Sequence, residues 1–119
     1  AGDKFKETKF LNLTNYPLMS SHVIPIGMKR NKEHAIPEIE EVIATACAIE
    51  NIYLTVTAYE LGGYLSTGGI TYFEESKPYF DLEPADKLLG FFYIGYPAAT
   101  PAALSKRQPV EDKTKWVVE

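Results

Sequence analysis

The sequence predicts an α+β fold. Three observations carry that class: a long apolar helical pattern with marked ends, two apolar runs rich in β-branched and aromatic residues on either side of it, and a shorter run of the same kind at the carboxy-terminal end. With 119 residues the chain amounts to one domain or part of one. Hydrophobic residues make up 45% and charged residues 24%, near the globular average, which favours neither a disordered chain nor a membrane protein.

Taken in order, residues 1–20 carry mixed charges, then Asn12, Thr14, Asn15 and Pro17, and one apolar patch at Phe10, Leu11 and Leu13. Such a turn-rich stretch predicts little regular structure. His22 to Met28, HVIPIGM, reads as a short strand, and Pro25 places it at a sheet edge or a bulge because proline cannot donate to a ladder.

The helix is the clearest element. Pro37 suits a first helical position, Glu38, Glu40 and Glu41 complement the positive end of the helix dipole, and Gly62 stands where a left-handed C-cap is expected. Ile39, Val42, Ala46, Ile49, Tyr53 and Val56 form one apolar seam, and Ile43, Cys47, Leu54 and Leu61 a second row beside it. Unbroken from 37 to 61, the helix would span roughly 37 Å at about 1.5 Å per residue. That exceeds what a compact monomer of this length readily covers, so a subunit interface is the expected cover.

LGGYLSTGGITY, residues 61–72, follows as a loop with a glycine pair on either side of Tyr64 to Thr67. Tyr72 to Phe80 is expected as a short helix. Leu88 to Ile94, LLGFFYI, is apolar on both faces and predicts a central strand. Thr114 to Val118, TKWVV, predicts a final strand. No internal repeat is present.

A net charge of −4 and a pI of about 5.2 argue against a general nucleic-acid binder, which needs a basic surface. No apolar run reaches membrane-spanning length and the start AGDKFKETKF lacks a signal segment. The single cysteine, Cys47, excludes an intrachain disulfide and suits a reducing compartment, so a cytoplasmic location is expected. The first residue is Ala1, not Met, which points to a processed product or a fragment.

Catalytic chemistry finds little footing. His22 and His34 are too far apart for a local metal motif, so no metal is expected. Cys47, on an apolar helix, reads as a small core hydrophobe. Ser66 and Thr67 lie outside any G-x-S-x-G elbow, with no histidine after them. The acidic trio is explained by the helix terminus. No catalytic side chain is assigned. Two features are left, the glycine loop 62–69 and the basic pair Lys106 and Arg107; a turn and a solvated surface account for them as readily as a ligand does.

Together, IPEIEEVIATACAIENIYLTVTAYELGGYLSTGGITY, DKLLGFFYIGYP and SKRQPVEDKTKWV resemble the carboxy-terminal part of the FMN-dependent nitroreductase family. The order of an apolar helix, a glycine-bearing loop, an LGxFYIGYP-type strand and a KRxPxEDK-type segment covers residues 22–119. The resemblance implies a sheet flanked by helices in an intertwined homodimer, with helix 37–61 at its centre and the strand around Trp116 crossing to the partner. It implies main-chain contacts from Leu65, Ser66, Thr67 and Gly68 to the flavin ring of FMN. Contacts from Lys106 and Arg107 to the FMN phosphate are implied as well, Arg107 being the better match.

The family's amino-terminal helix carries an Arg-Ser-x-Arg type motif, whereas the arginines here are Arg30 and Arg107 alone. The amino-terminal half is therefore expected to be missing. Residues 1–119 then form the carboxy-terminal portion of a single domain, inactive alone. The expected activity is ping-pong hydride transfer from NAD(P)H through FMN to a small electron-poor acceptor, a nitroaromatic or a quinone. A non-catalytic dimeric module, binding flavin or a partner, is the alternative.

Overall fold

Two strands that run the same way, with a third returning between them, make the sheet. In this computed structural model, which describes residues 7–33, 35–98 and 107–117, the strands are β1 (His22–Met28), β2 (Gly62–Ser66) and β3 (Lys87–Gly95). Their order is β1-β3-β2, with β3 antiparallel to both neighbours. The 88–94 run is thus central, as its two-sided apolar pattern predicts. β1 is an edge strand, and its register slips at a bulge between Ile26 and Gly27.

Helix α1 (Glu7–Leu18) corrects the expectation of little structure near the start. Pro17 lies in its last turn, where a missing N–H costs one bond and leaves the preceding turns intact. Helix α2 (Glu38–Ala58) joins β1 to β2. Pro37 occupies its N-cap and not its first helical position. The helix also stops before Gly62: Glu60 takes the left-handed conformation, with φ 57°, and the Leu61 N–H closes the end on the Val56 carbonyl at 2.9 Å. Gly62 and Gly63 are released to open β2.

The acids of the first turn have structural partners. Glu38 pairs with Lys87 at 3.2 Å. Glu41 bonds the Arg30 guanidinium and accepts the Asn31 N–H at 2.7 Å. These contacts fix the start of α2 against the end of β1 and the start of β3.

One face of the sheet packs on α2. Ile26, Ile49, Val56 and Phe92 form the buried core, with Ile52, Tyr53, Leu61, Leu65 and Ile94 around them. Phe92 is wholly buried, and the Tyr53 ring meets it edge to face at 4.6 Å. By the twofold period of strands, Tyr64, Ser66, Phe91 and Tyr93 lie on the opposite face. The 62–69 stretch is thus strand through Ser66 and not a loop.

After β2 come two 3₁₀ segments, Gly69–Tyr72 and Glu74–Phe80, where one short helix was expected. Asp86, 5% exposed, ties the return into β3: its carboxylate accepts the Arg30 and Glu83 N–H groups, each at 2.8 Å. A 3₁₀ turn spans Val110–Asp112.

The expected final strand is not formed over its described residues, Thr114–Val117. Trp116 is 75% exposed, and among the described residues the sheet is β1-β3-β2, with no ladder to that segment. Most of the second apolar row of α2 is likewise uncovered: Ile43, Cys47 and Leu54 are exposed, as is Ile39 of the seam, while Leu61 packs against the core. Cys47 is therefore a surface thiol in the single chain, not a core residue. The accessible surface is 10300 Å², against roughly 6,500 Å² for a compact monomer of this mass.

Candidate functional site

The candidate residues Leu65, Ser66, Thr67 and Gly68 are consecutive, so the end of β2 brings them together. Their main-chain groups are not equivalent. The Leu65 N–H donates to the Tyr53 hydroxyl at 2.7 Å, which shows that it faces away from β3. Ser66 stands opposite Phe91 in the ladder. β2 and its ladder end at Ser66, so Thr67 is the first residue beyond them, and among the described residues its N–H has no hydrogen-bond partner. Gly68 has φ 115°, a conformation that glycine adopts without penalty. Its N–H donates to Thr71 Oγ1 at 3.0 Å, and that hydroxyl donates to the Gly68 carbonyl at 3.1 Å.

The Thr71 side chain closes the turn from below and is itself buried. At its two glycines the turn is bare. A Cβ placed on Gly69 would meet nothing within 4 Å, and one on Gly68 would meet only the Tyr72 ring at 3.7 Å.

Two clefts flank this strand end. One, of about 440 Å³, is lined by Thr67, Thr71, Tyr72, Glu74, Lys77 and Lys87 among others. Lys77 is nearly buried there, its ammonium donating to Glu74 at 2.6 Å and to the Pro84 carbonyl at 2.8 Å. The other, of about 430 Å³ and largely apolar, lies beside Tyr16, Met19, Ser20, Tyr64, Ser66 and Tyr93. Both volumes fall in the range of small-molecule sites.

A flavin ring is compatible with the Thr67–Gly69 edge: among the described residues nothing occupies the Thr67 amide, glycines leave the surface bare, and a cleft adjoins it. The phosphate end is not assembled in the same way. Arg107 is exposed in the 107–117 stretch and lines neither cleft. Lys106 lies outside the described residues, as does His34.

Asp86 is a structural tie. The N–H bonds from Arg30 and then Glu83 hold its carboxyl below the ordinary value, helped by the charges of Lys29 and Lys77 and opposed by burial. Among the described residues, no group of three or more His, Cys, Asp or Glu is placed to hold a metal ion. Nor, among them, is any helix long and apolar enough to cross a membrane.

Tyr53 and Thr71 are the residues that sequence reasoning missed. Tyr53 was absorbed into the apolar seam, although a tyrosine placed in a core carries a hydroxyl that needs a partner. Thr71 gave no signal, because its partner is created by the turn.

No protein-family model matches the chain. It is 26% identical over 83 residues to "Putative NAD(P)H nitroreductase YdjA" of Escherichia coli (strain K12), a match covering 70% of this chain and 45% of that protein. The same figures hold for the protein of that name from Escherichia coli O157:H7. The crystal structure of a nitroreductase-like family protein from Bacillus cereus superposes with a TM-score of 0.74 at 21% identity, covering 95% of this chain and 62% of that one. The fold is therefore nitroreductase-like, and the chain resembles the carboxy-terminal part of such a protein. The matched region spans less than half the length of the curated relatives.

Proposed function

We propose that this chain is the carboxy-terminal portion of a single nitroreductase-like domain, and that the whole protein is an FMN-dependent NAD(P)H oxidoreductase. The observation that supports this most directly is the bare main-chain edge at Thr67–Gly69, which occurs in a chain similar over most of its length to a protein named as a nitroreductase. When bound, FMN supplies a carrier that takes hydride from NAD(P)H and returns electrons to a nitroaromatic, quinone or similar acceptor in a ping-pong cycle. The residues of the chain bind and orient. The Thr67 amide donates a fixed hydrogen bond to the ring, and an amide does so without titrating near neutral pH. Gly68 and Gly69 keep that face free of side chains. Ser66 borders it, and Leu65 holds the strand beneath.

Lys106 and Arg107 are assigned to the phosphate, where a guanidinium offers two parallel bonds. The homodimer reading draws support from the exposed apolar residues of α2, Ile39, Ile43, Cys47 and Leu54. Pairing of the Trp116 segment with the partner's sheet would explain why it has no ladder here. A reducing, cytoplasmic setting agrees with an exposed single thiol.

The test is optical. The purified full-length protein should be yellow and bleach with NADH or NADPH under anaerobic conditions, and a nitroaromatic or quinone should restore the colour. A flavin that is retained but never bleaches identifies a non-catalytic binding module. A colourless protein that cannot be reconstituted with FMN rejects both.

A further inference from the structure

We propose that Tyr53 is a positioning residue: its hydroxyl withdraws the Leu65 amide from the ligand face and so leaves the Thr67 amide as the donor that a flavin meets. This rests on the FMN reading above. Three observations carry it. The Tyr53 oxygen is 2.7 Å from the Leu65 nitrogen, a short and well-formed bond between residues on α2 and β2. The Tyr53 ring is held edge to face on Phe92, the wholly buried residue, which itself pairs with Leu65 across the ladder. Three positions after Leu65, the Gly68 amide is engaged by Thr71.

The outer edge of β2 therefore offers its amides unequally. The Leu65 N–H, two residues before Thr67, is satisfied by a phenol, and the Gly68 N–H, one residue after it, by a threonine hydroxyl. A planar acceptor approaching this edge would have to break the Tyr53 bond to reach Leu65, leaving a half-buried phenol oxygen without its donor. At Thr67 it breaks nothing. The phenol also sets where Thr67 stands, because a strand residue pinned two positions earlier cannot slide outward along its edge. Tyr53 touches no ligand in this arrangement and acts only through β2.

The experiment uses the full-length protein, loaded with FMN and stripped of it, and follows amide hydrogen exchange together with FMN titration. In the wild type, FMN is expected to slow exchange at Thr67 by tenfold or more and to leave Leu65 unchanged. Tyr53→Phe keeps the ring on Phe92 and removes only the oxygen. It is expected to speed exchange at Leu65 at least tenfold, leave Phe92 unchanged, raise the FMN dissociation constant about fivefold to tenfold, and move the N5 resonance of isotope-labelled FMN. A purely structural role would leave that resonance where it is.

Protection of Leu65 by FMN overturns the proposal, as does a Tyr53→Phe protein with wild-type exchange at Leu65 and wild-type affinity. The wild-type map needs no variant, so a Tyr53→Phe chain that does not fold leaves the test standing. If the wild type binds no FMN, the flavoprotein reading fails and takes the positioning role with it. Wild-type binding with an indifferent Tyr53→Phe rejects the positioning role alone.

Discussion

Gly63 lies against the ring of Phe92 so closely that a Cβ at position 63 would stand 2.9 Å from Phe92 Cζ and 3.0 Å from a methyl group of Val56. Gly63, from the first glycine pair of the 61–72 stretch, thus serves the contact between α2 and the sheet. The second pair serves a turn. Gly63→Ala should cost about 1–3 kcal/mol through overpacking of a rigid core. Gly69→Ala, at φ 59° with open space around it, should cost only about 1 kcal/mol of backbone strain. Denaturant midpoints of the two variants compare them, and a Gly63→Ala protein as stable as the wild type contradicts the close approach.

Glu60 is a non-glycine residue in the left-handed conformation at the end of α2. Replacing it with glycine relieves the steric cost while adding some freedom to the unfolded chain, for a net gain of about 1 kcal/mol. A rise in the urea midpoint at constant slope is the expected result, and a fall would show that Glu60 makes a contact worth more than its strain.

Asp86 predicts acid sensitivity with a definite sign. Its carboxyl is held below the ordinary value in the folded state, so its stabilisation is present above about pH 4 and is lost as pH falls through the lowered folded value. Asp86→Asn should lose roughly 2–3 kcal/mol at neutral pH, because two N–H donors lose a charged acceptor. The gap between variant and wild type should narrow below pH 4. Urea midpoints between pH 3 and 7 measure this, and a gap that stays constant across the range removes the assignment.

For the proposed cofactor contacts, Arg107→Ala in the full-length protein should weaken FMN binding about tenfold to a hundredfold and flatten its dependence on salt, since a charged phosphate contact is removed. Gly68→Val places a branched side chain at φ 115° on the bare face, and flavin occupancy should fall sharply. Calorimetric titration with FMN reads both. Wild-type affinity in Arg107→Ala removes that residue from the phosphate site, and normal occupancy in Gly68→Val moves the ring elsewhere.

Cys47 reports on the proposed dimer. It is exposed on the uncovered row of α2, so a thiol reagent should modify it rapidly in dilute monomer and at least tenfold more slowly at concentrations where the full-length protein sediments as a dimer. Equal rates in both states place the interface on another surface.

Much of the sheet was legible because its signals are local. Pro25 in HVIPIGM marked an edge strand, and the two-sided apolar run LLGFFYI marked the centre, since burial on both faces leaves no polar alternation. The limits of α2 were read to within a few residues, yet Gly62 was taken for its cap. Glycine is the usual left-handed residue, but hydrogen bonding closed the helix two residues earlier, at a glutamate. α1 escaped notice because Pro17 and the asparagines resemble a turn, while a proline in a final turn disturbs little.

By itself the sequence determined the long helix, the edge and central strands, the apolar seam, the absence of a local metal or nucleophile motif, and the resemblance to nitroreductases, because each of these depends on residue type and short spacing. Only the tertiary structure decided which main-chain groups at the end of β2 are free to meet a ligand. Tyr53 and Leu65 lie on different elements, and a hydrogen bond between them exists only once the helix is laid across the sheet. The same holds for Cys47, whose neighbours along the helix say core but which the fold leaves exposed. Burial belongs to surfaces brought together in space, and no stretch of sequence contains both sides of a contact.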